Sequence, residues 1–311
     1  MLAAPRPISL PADDGPHDAL TEWWYYNGHL QGDGGQRYGF ELVVFKRASR
    51  EGRAGYAAHV AVTDHHRKAF QFAEDLTLPA PAKPEQGRFS AQVGPIALAG
   101  GDGRDRLSGA TADYAIELRL TETKPPAVHG QTGYIGVSPT EASYYYSRTR
   151  MTASGLLRDH GVPVDVTGEA WMDHQWGDFS LQGGASWDWY SVQLQDGTDL
   201  MFSVVRNPAN EVVLAYGTLV GVKGETVHIP KEGFRARSTA TWTSSATGTT
   251  YPMGWQLEVP DRALSLQLDP VIPDQEMVTT ASVNATYWEG QVTVSGSAQG
   301  WGYVELTGYR P

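Results

Sequence analysis

The chain has 311 residues, no cysteine and a formal net charge of -11, with 41% apolar and 19% charged residues. Without cysteine there can be no disulfides, thiolate nucleophiles, zinc-thiolate sites or iron-sulfur clusters, and an acidic chain with no basic run is a poor match for nucleic acid or an anionic membrane surface. The length favours two domains, and the apolar fraction is enough for a sizeable core.

In chain order, the start from Met1 to Pro7 lacks the charged and apolar regions of a secretory signal. No later run approaches the roughly 18 apolar residues of a membrane span. As it stands the sequence reads as cytoplasmic, or as extracytoplasmic if a leader has been removed. Period-2 alternation with β-branched and aromatic residues then recurs throughout, and no segment sustains a helical apolar stripe. The predicted strands are 23–31, 37–47, 55–63, 88–98, 112–121, 143–150 and 162–174, followed by 186–195, 199–206, 211–221, 254–259, 262–268, 285–295 and 299–307. Turn signals such as Gly32-Asp33-Gly34-Gly35 and Asp196-Gly197 separate them, so the fold class is all-β and the long antiparallel strands suit up-and-down barrels. Trp24-Tyr25 with the apolar run Tyr38 to Val44 is echoed by Trp189-Tyr190 with Asp199 to Val205, about half the chain later. The predicted domains are 1–181 and 182–311, with the boundary in the turn Leu181-Gln182-Gly183-Gly184. Pro79-Ala80-Pro81 is read as a loop inside the first domain.

The densest chemistry lies in Trp171-Met172-Asp173-His174-Gln175-Trp176-Gly177-Asp178. On a strand, Asp173 and Gln175 face one side while His174 and Trp176 face the other. A protonated imidazole, or a carboxylic acid kept neutral by burial, can protonate an electron-rich double bond, and an indole face can stabilise the resulting cation. The bland alternative is a satisfied core histidine beside a capping aspartate. A second dense run, Glu22-Trp23-Trp24-Tyr25-Tyr26-Asn27-Gly28-His29, opens on a carboxylate that burial would penalise unless it is paired. Arg148 or Arg150 is its expected partner, both placed on the strand face of Tyr144 and Tyr146. Glu22 would then be a wall-to-wall ion pair, a second acid or an orienter of His174. His59 reads as a core residue, and His65-His66 as a solvated turn without metal-ligand spacing. There is no nucleophile elbow and no phosphate loop. Ten tryptophans fit both core packing and a lining for a long apolar ligand.

Several of these runs resemble the AttH-like and carotenoid 1,2-hydratase (CrtC-like) families. They are Pro16-His17 with Thr21 to Leu30, His59 to Asp64, Tyr144 to Met151, Trp171 to Gly177, Tyr287 to Gly290 and Gly302 to Tyr309. The resemblance implies two consecutive lipocalin-like antiparallel β-barrel domains with a ligand cavity at or near their junction. It also implies chemistry on isoprenoids or polyenes, as hydratase or cyclase. In the hydratase branch a His-x-Trp pair is implicated in the site, and it carries over to His174 and Trp176. That branch also uses a Tyr and an Asp on the following strand pair, where this chain has Leu200 to Val205 and no carboxylate. An acid would then come from Asp173, Glu22 or Asp188.

Three readings follow from residues and resemblance together. The first is a hydratase-like enzyme, with neither metal nor organic cofactor, acting by acid catalysis on a long hydrophobic isoprenoid or polyene. Its expected catalytic residues are His174, Asp173 and Glu22, and its expected substrate-binding residues Trp176, Trp24, Tyr146, Arg148 and Trp189. The second is a carrier that binds a hydrophobic small molecule without chemistry, and the third a cyclase that folds a polyene.

Overall fold

The computed structural model describes residues 5–48, 54–77, 87–138, 140–179 and 185–310. Among these the chain is almost entirely antiparallel strand, with three single-turn 3-10 segments. The predicted boundary turn at 181–184 and the Pro79-Ala80-Pro81 loop lie outside the described residues. The chain separates into two compact units, the first comprising residues 1–66, 70–180 and 281–283, the second 67–69, 181–280 and 284–311.

The first sheet contains β1 (Thr21–Gly32), β2 (Arg37–Ala48), β3 (Ala54–Asp64), β4 (Ala69–Thr77), β5 (Phe89–Val93) and β6 (Ile96–Gly100). It continues with β7 (Arg104–Ala110), β8 (Tyr114–Glu122), β9 (Ala127–Val128), β10 (Tyr134–Ser138), β11 (Glu141–Asp159) and β12 (Val162–Asp178). Its order is β4-β3-β2-β1-β12-β11-β8-β7-β6-β5. The second sheet contains β13 (Ser186–Leu194), β14 (Asp199–Arg206), β15 (Val212–Val220), β16 (Thr226–Pro230) and β17 (Arg235–Thr243). It is completed by β18 (Thr250–Val259), β19 (Leu264–Pro270), β20 (Glu276–Thr279), β21 (Ala285–Gly296) and β22 (Gly300–Thr307), in the order β16-β15-β14-β13-β22-β21-β19-β18-β17. Both sheets share one plan: a four-strand meander whose first strand pairs with the last strand of the unit, β1 with β12 and β13 with β22. Each sheet curls into a lipocalin-like barrel or half-barrel around its own apolar core.

The repeat seen in the sequence is real at the level of hairpins, but its phase differs. Trp24 and Tyr26 enter the first core, whereas in the second it is Tyr190 and Val192. A one-residue offset moves a side chain to the other face of a strand, so Trp189 is not the counterpart of Trp24.

Several strands carry too weak an apolar alternation to be read from sequence. In β7 the inward positions include the carboxylate Asp105, and nearly all of β17 is solvent-facing. The predicted strand 88–98 is divided into β5 and β6 at Gly94-Pro95, where Gly94 has φ +55°. Gly28 is required where it stands. A Cβ there would lie 2.5 Å from Phe40 Cε1 and 2.6 Å from the Glu169 carbonyl oxygen.

Candidate acid-base site in the first unit

Three neighbouring strands build the site. Register places Glu22 opposite Trp176 and Trp24 opposite His174 between β1 and β12. Between β11 and β12 it places Tyr144 opposite Trp176, Tyr146 opposite His174 and Arg148 opposite Met172. Because alternate side chains share a face, Glu22, Trp24, His174, Trp176, Tyr146 and Arg148 all point to the interior of the first barrel. His174 Nε2 lies 2.9 Å from Glu22 Oε1, with both side chains fully buried. The imidazole stacks on Trp24 with ring centres 4.7 Å apart and lies 4.7 Å from the Trp176 ring. Its Nδ1 is 3.4 Å from the Tyr146 hydroxyl.

The residues that complete this cluster come from the segment before β1. It carries one 3-10 turn, Ala12–Asp14, and crosses the inner face of the same strands. His17 Nδ1 lies 2.8 Å from Glu22 Oε1, and its backbone N-H donates to both Glu22 oxygens at 3.2 and 3.0 Å. Its other nitrogen is 3.2 Å from Asp13 Oδ1, and its ring lies flat on Trp176 at 3.9 Å. Arg6 holds Asp13 through two bonds of 2.7 Å. Lys46 donates to Glu22 Oε2 at 3.1 Å and to the carbonyl of His17. Asp14 accepts two bonds from Arg148, at 2.8 and 3.2 Å, and others from the Tyr146 hydroxyl and the backbone of Asp102. Arg148 also donates to Glu122 at 2.6 Å.

The sequence reading paired Glu22 with Arg148 or Arg150, and the structure corrects this. Lys46 and the two imidazoles take Glu22, while Arg148 serves Asp14 and Glu122. Arg150 does not share the face of Tyr146, because a bulge between Arg148 and Met151 shifts the register. It pairs instead with Glu169 at 2.7 Å.

Charge states follow from these partners. Burial alone would raise the pKa of Glu22, but hydrogen bonds from His17 and His174 outweigh it and hold the group at about 2. Asp13 is likewise held at about 2, its burial outweighed by Arg6, the Ser9 backbone and His17. Burial keeps His174 below the ordinary imidazole range despite Glu22 beside it. Burial also lifts the Tyr146 hydroxyl well above its usual range, and pushes Asp105, which accepts from Tyr26 at 2.9 Å, up to about 6.

Asp173 is not part of this cluster. It points to the opposite face of β12, where it accepts from the Tyr145 hydroxyl at 2.5 Å, Trp171 Nε1 at 2.6 Å and the Ser147 hydroxyl. His129 Nε2 lies 2.6 Å behind Ser147. Burial raises the Asp173 carboxyl to about 6 against these three donors. Asp188 and Trp189 belong to the second unit, where Asp188 pairs with Arg206 at 2.9 Å and Tyr309 at 2.7 Å. His59 is fully buried, and burial lowers it to about 3, as for a core histidine.

His17, Glu22 and His174 are the one group among the described residues whose donor atoms would suit a metal ion, all lying within 4.8 Å of one another. Asp13 and Tyr146 would then support the two imidazoles from behind. One feature favours a shared proton over a divalent cation: the ammonium of Lys46 already occupies Glu22 Oε2. Both imidazole nitrogens stand within reach of Oε1.

A family model described as AttH-like matches residues 1–309. The chain belongs to the AttH-like family. An AttH homologue of known structure from Nitrosomonas europaea is 30% identical, with 99% of each chain covered and a TM-score of 0.90. Kievitone hydratase from Nectria haematococca has the same fold at 16% identity, with 97% of this chain and 93% of that one covered and a TM-score of 0.78. The comparison with curated proteins found no match. The His-x-Trp pair read from the sequence, His174 and Trp176, lies on β12. The sequence reading gave no separate notice of Asp13 and Asp14. Those two lie in an irregular segment without periodicity, and only the Pro16-His17 signature next to them hinted that the segment mattered.

Proposed function

We propose that this AttH-like protein is a hydratase-like enzyme that uses Glu22 and His174 for acid-base chemistry on a double bond of a long hydrophobic substrate, an isoprenoid or polyene. The observation that carries the proposal is the fully buried His174–Glu22 contact of 2.9 Å, set between Trp24 and Trp176. An ionised carboxylate and an imidazole that share a proton make a donor that can also take the proton back. The likeness in fold to a protein named as a hydratase supports the same reading.

Burial disfavours the charged form of His174, so in this mechanism the imidazole first gains a proton beside Glu22, and an N-H bond of that imidazolium then breaks as the alkene π pair forms a C-H bond. The cation left on the neighbouring carbon is stabilised by the indole faces. Water adds to that carbon, and its surplus proton returns to the imidazole beside Glu22. Tyr146 lines the path of the cation. Asp173, on the far side of β12, takes no part. Arg148, already engaged by Asp14 and Glu122, acts through Tyr146 and not on the substrate.

The test is incubation of the full chain with a panel of isoprenoids and polyenes in oxygen-18 water, with products followed by mass spectrometry. Labelled product is expected, with turnover falling about 100- to 10,000-fold in His174→Gln and in Glu22→Gln. Ligands that bind and are recovered intact would make the protein a carrier, and a cyclised product without label would make it a cyclase. Unchanged turnover in His174→Gln would also overturn the proposal.

A further inference from the structure

Glu22 and His174 are sealed from solvent, each with a fully buried side chain. The adding water returns the proton given to substrate, but burial disfavours the charged form of His174, so the imidazolium must first be formed, and the pair has no solvent contact of its own. His17 does: 15% of its side chain is exposed. Its two ring nitrogens face opposite ways, Nδ1 toward Glu22 at 2.8 Å and Nε2 toward Asp13 at 3.2 Å. Ionised carboxylates offer only lone pairs, so both contacts are hydrogen bonds when the ring carries a hydrogen on each nitrogen. The ring is also held in place. It lies flat on Trp176, Lys46 binds its carbonyl, and Arg6 fixes Asp13 behind it.

We propose that His17 relays protons between solvent and the buried Glu22–His174 pair, with Asp13 as the residue that positions it. This rests on the acid-base reading of the site. In the relay step the Nδ1-H bond of His17 breaks as an O-H bond forms at Glu22 Oε1. That O-H bond breaks in turn as the bare Nε2 of the neutral His174 takes the proton and becomes an imidazolium N-H. His17 is then reprotonated from water. One proton moves inward and no electrons change hands.

A merely structural His17 would be a wedge that keeps water away from the pair, and the two roles predict opposite signs in one measurement. The full chain is labelled with nitrogen-15 histidine, and exchange of the His174 ring N-H proton with water is followed by NMR, the resonance being assigned by its loss in His174→Gln. If His17 is the relay, His17→Gln and His17→Ala slow this exchange by about tenfold or more, and added imidazole restores it in His17→Ala. Asp13→Asn slows it less, because the ring remains but is poorly oriented. Exchange that is unchanged or faster in both His17 variants would show a wedge and overturn the proposal. The near-UV signal of the tryptophans reports whether each variant is folded, and His17→Gln carries the test if His17→Ala is not. No substrate is needed, so a failed relay is distinguishable from a failed hydratase reading, which rests on turnover by the wild-type chain.

Discussion

Replacing Asp14 tests whether the segment before β1 is held by the buried ion pair described above. Asp14 is fully buried and Arg148 is 2% exposed. Asp14→Asn keeps the shape but removes the charge that faces Arg148 and the Tyr146 hydroxyl. Breaking such a buried pair by removing one partner costs about 3–5 kcal/mol. Glu122 stays bonded to Arg148 and its side chain is 26% exposed, which places the expected loss near the lower end, about 3 kcal/mol. A loss of that size lowers the unfolding midpoint by about 6–12 °C in a domain of this size. Tryptophan fluorescence is a suitable probe, because Trp24 Nε1 donates to the Asp14 carbonyl at 3.1 Å. Arg148→Met should show a comparable loss, since it strands Asp14. The double variant should lose about 2 kcal/mol less than the sum of the two, because neither charge is then left alone. Losses that add to within about 0.5 kcal/mol would refute a coupled pair. So would an Asp14→Asn midpoint within about 2 °C of wild type, as that corresponds to under 1 kcal/mol.

Acid-base linkage gives a prediction at Asp173. Burial raises its folded pKa from 3.8 to about 6, so the folded state holds this proton more tightly than the unfolded chain does. The stabilisation is therefore fully present below the unfolded value and is lost as pH rises through 6. Asp105 shifts in the same direction. Asp173→Asn should flatten the decline in stability between pH 4 and pH 7 by on the order of 2–3 kcal/mol. Urea midpoints across that range measure it, and an identical slope in the variant would count against a protonated buried carboxyl. At Gly28, alanine should lower stability by about 1–3 kcal/mol through overpacking. Shortening Phe40 to leucine should recover only part of this in thermal unfolding, since the Glu169 carbonyl still stands 2.6 Å from the new Cβ.

Much of the candidate site was legible along the chain. Alternation on the Trp171 to Asp178 run separated His174 from Asp173 correctly, and the cost of burying Glu22 marked it as a residue in need of partners. The identity of those partners was not legible. Arg148 and Arg150 carry the same charge two residues apart, and only the bulge between Arg148 and Met151 sends them to different carboxylates. Lys46, directly opposite Glu22 on β2, could be found only once the hairpin register was known.

Local sequence determined the all-β class, the hairpins and which face of β12 carries imidazole and indole, because a period of two is a property of neighbouring residues. Tertiary structure decided which charges meet. Glu22 and His174 are 152 positions apart and come together because the first strand of the unit pairs with its last. Asp13, Asp14 and His17 lie on a segment with no periodicity of its own. Their place is set by the polar groups that β1, β2, β11 and β12 leave facing the barrel interior, since buried charges are stable only where opposite charges and hydrogen-bond donors surround them.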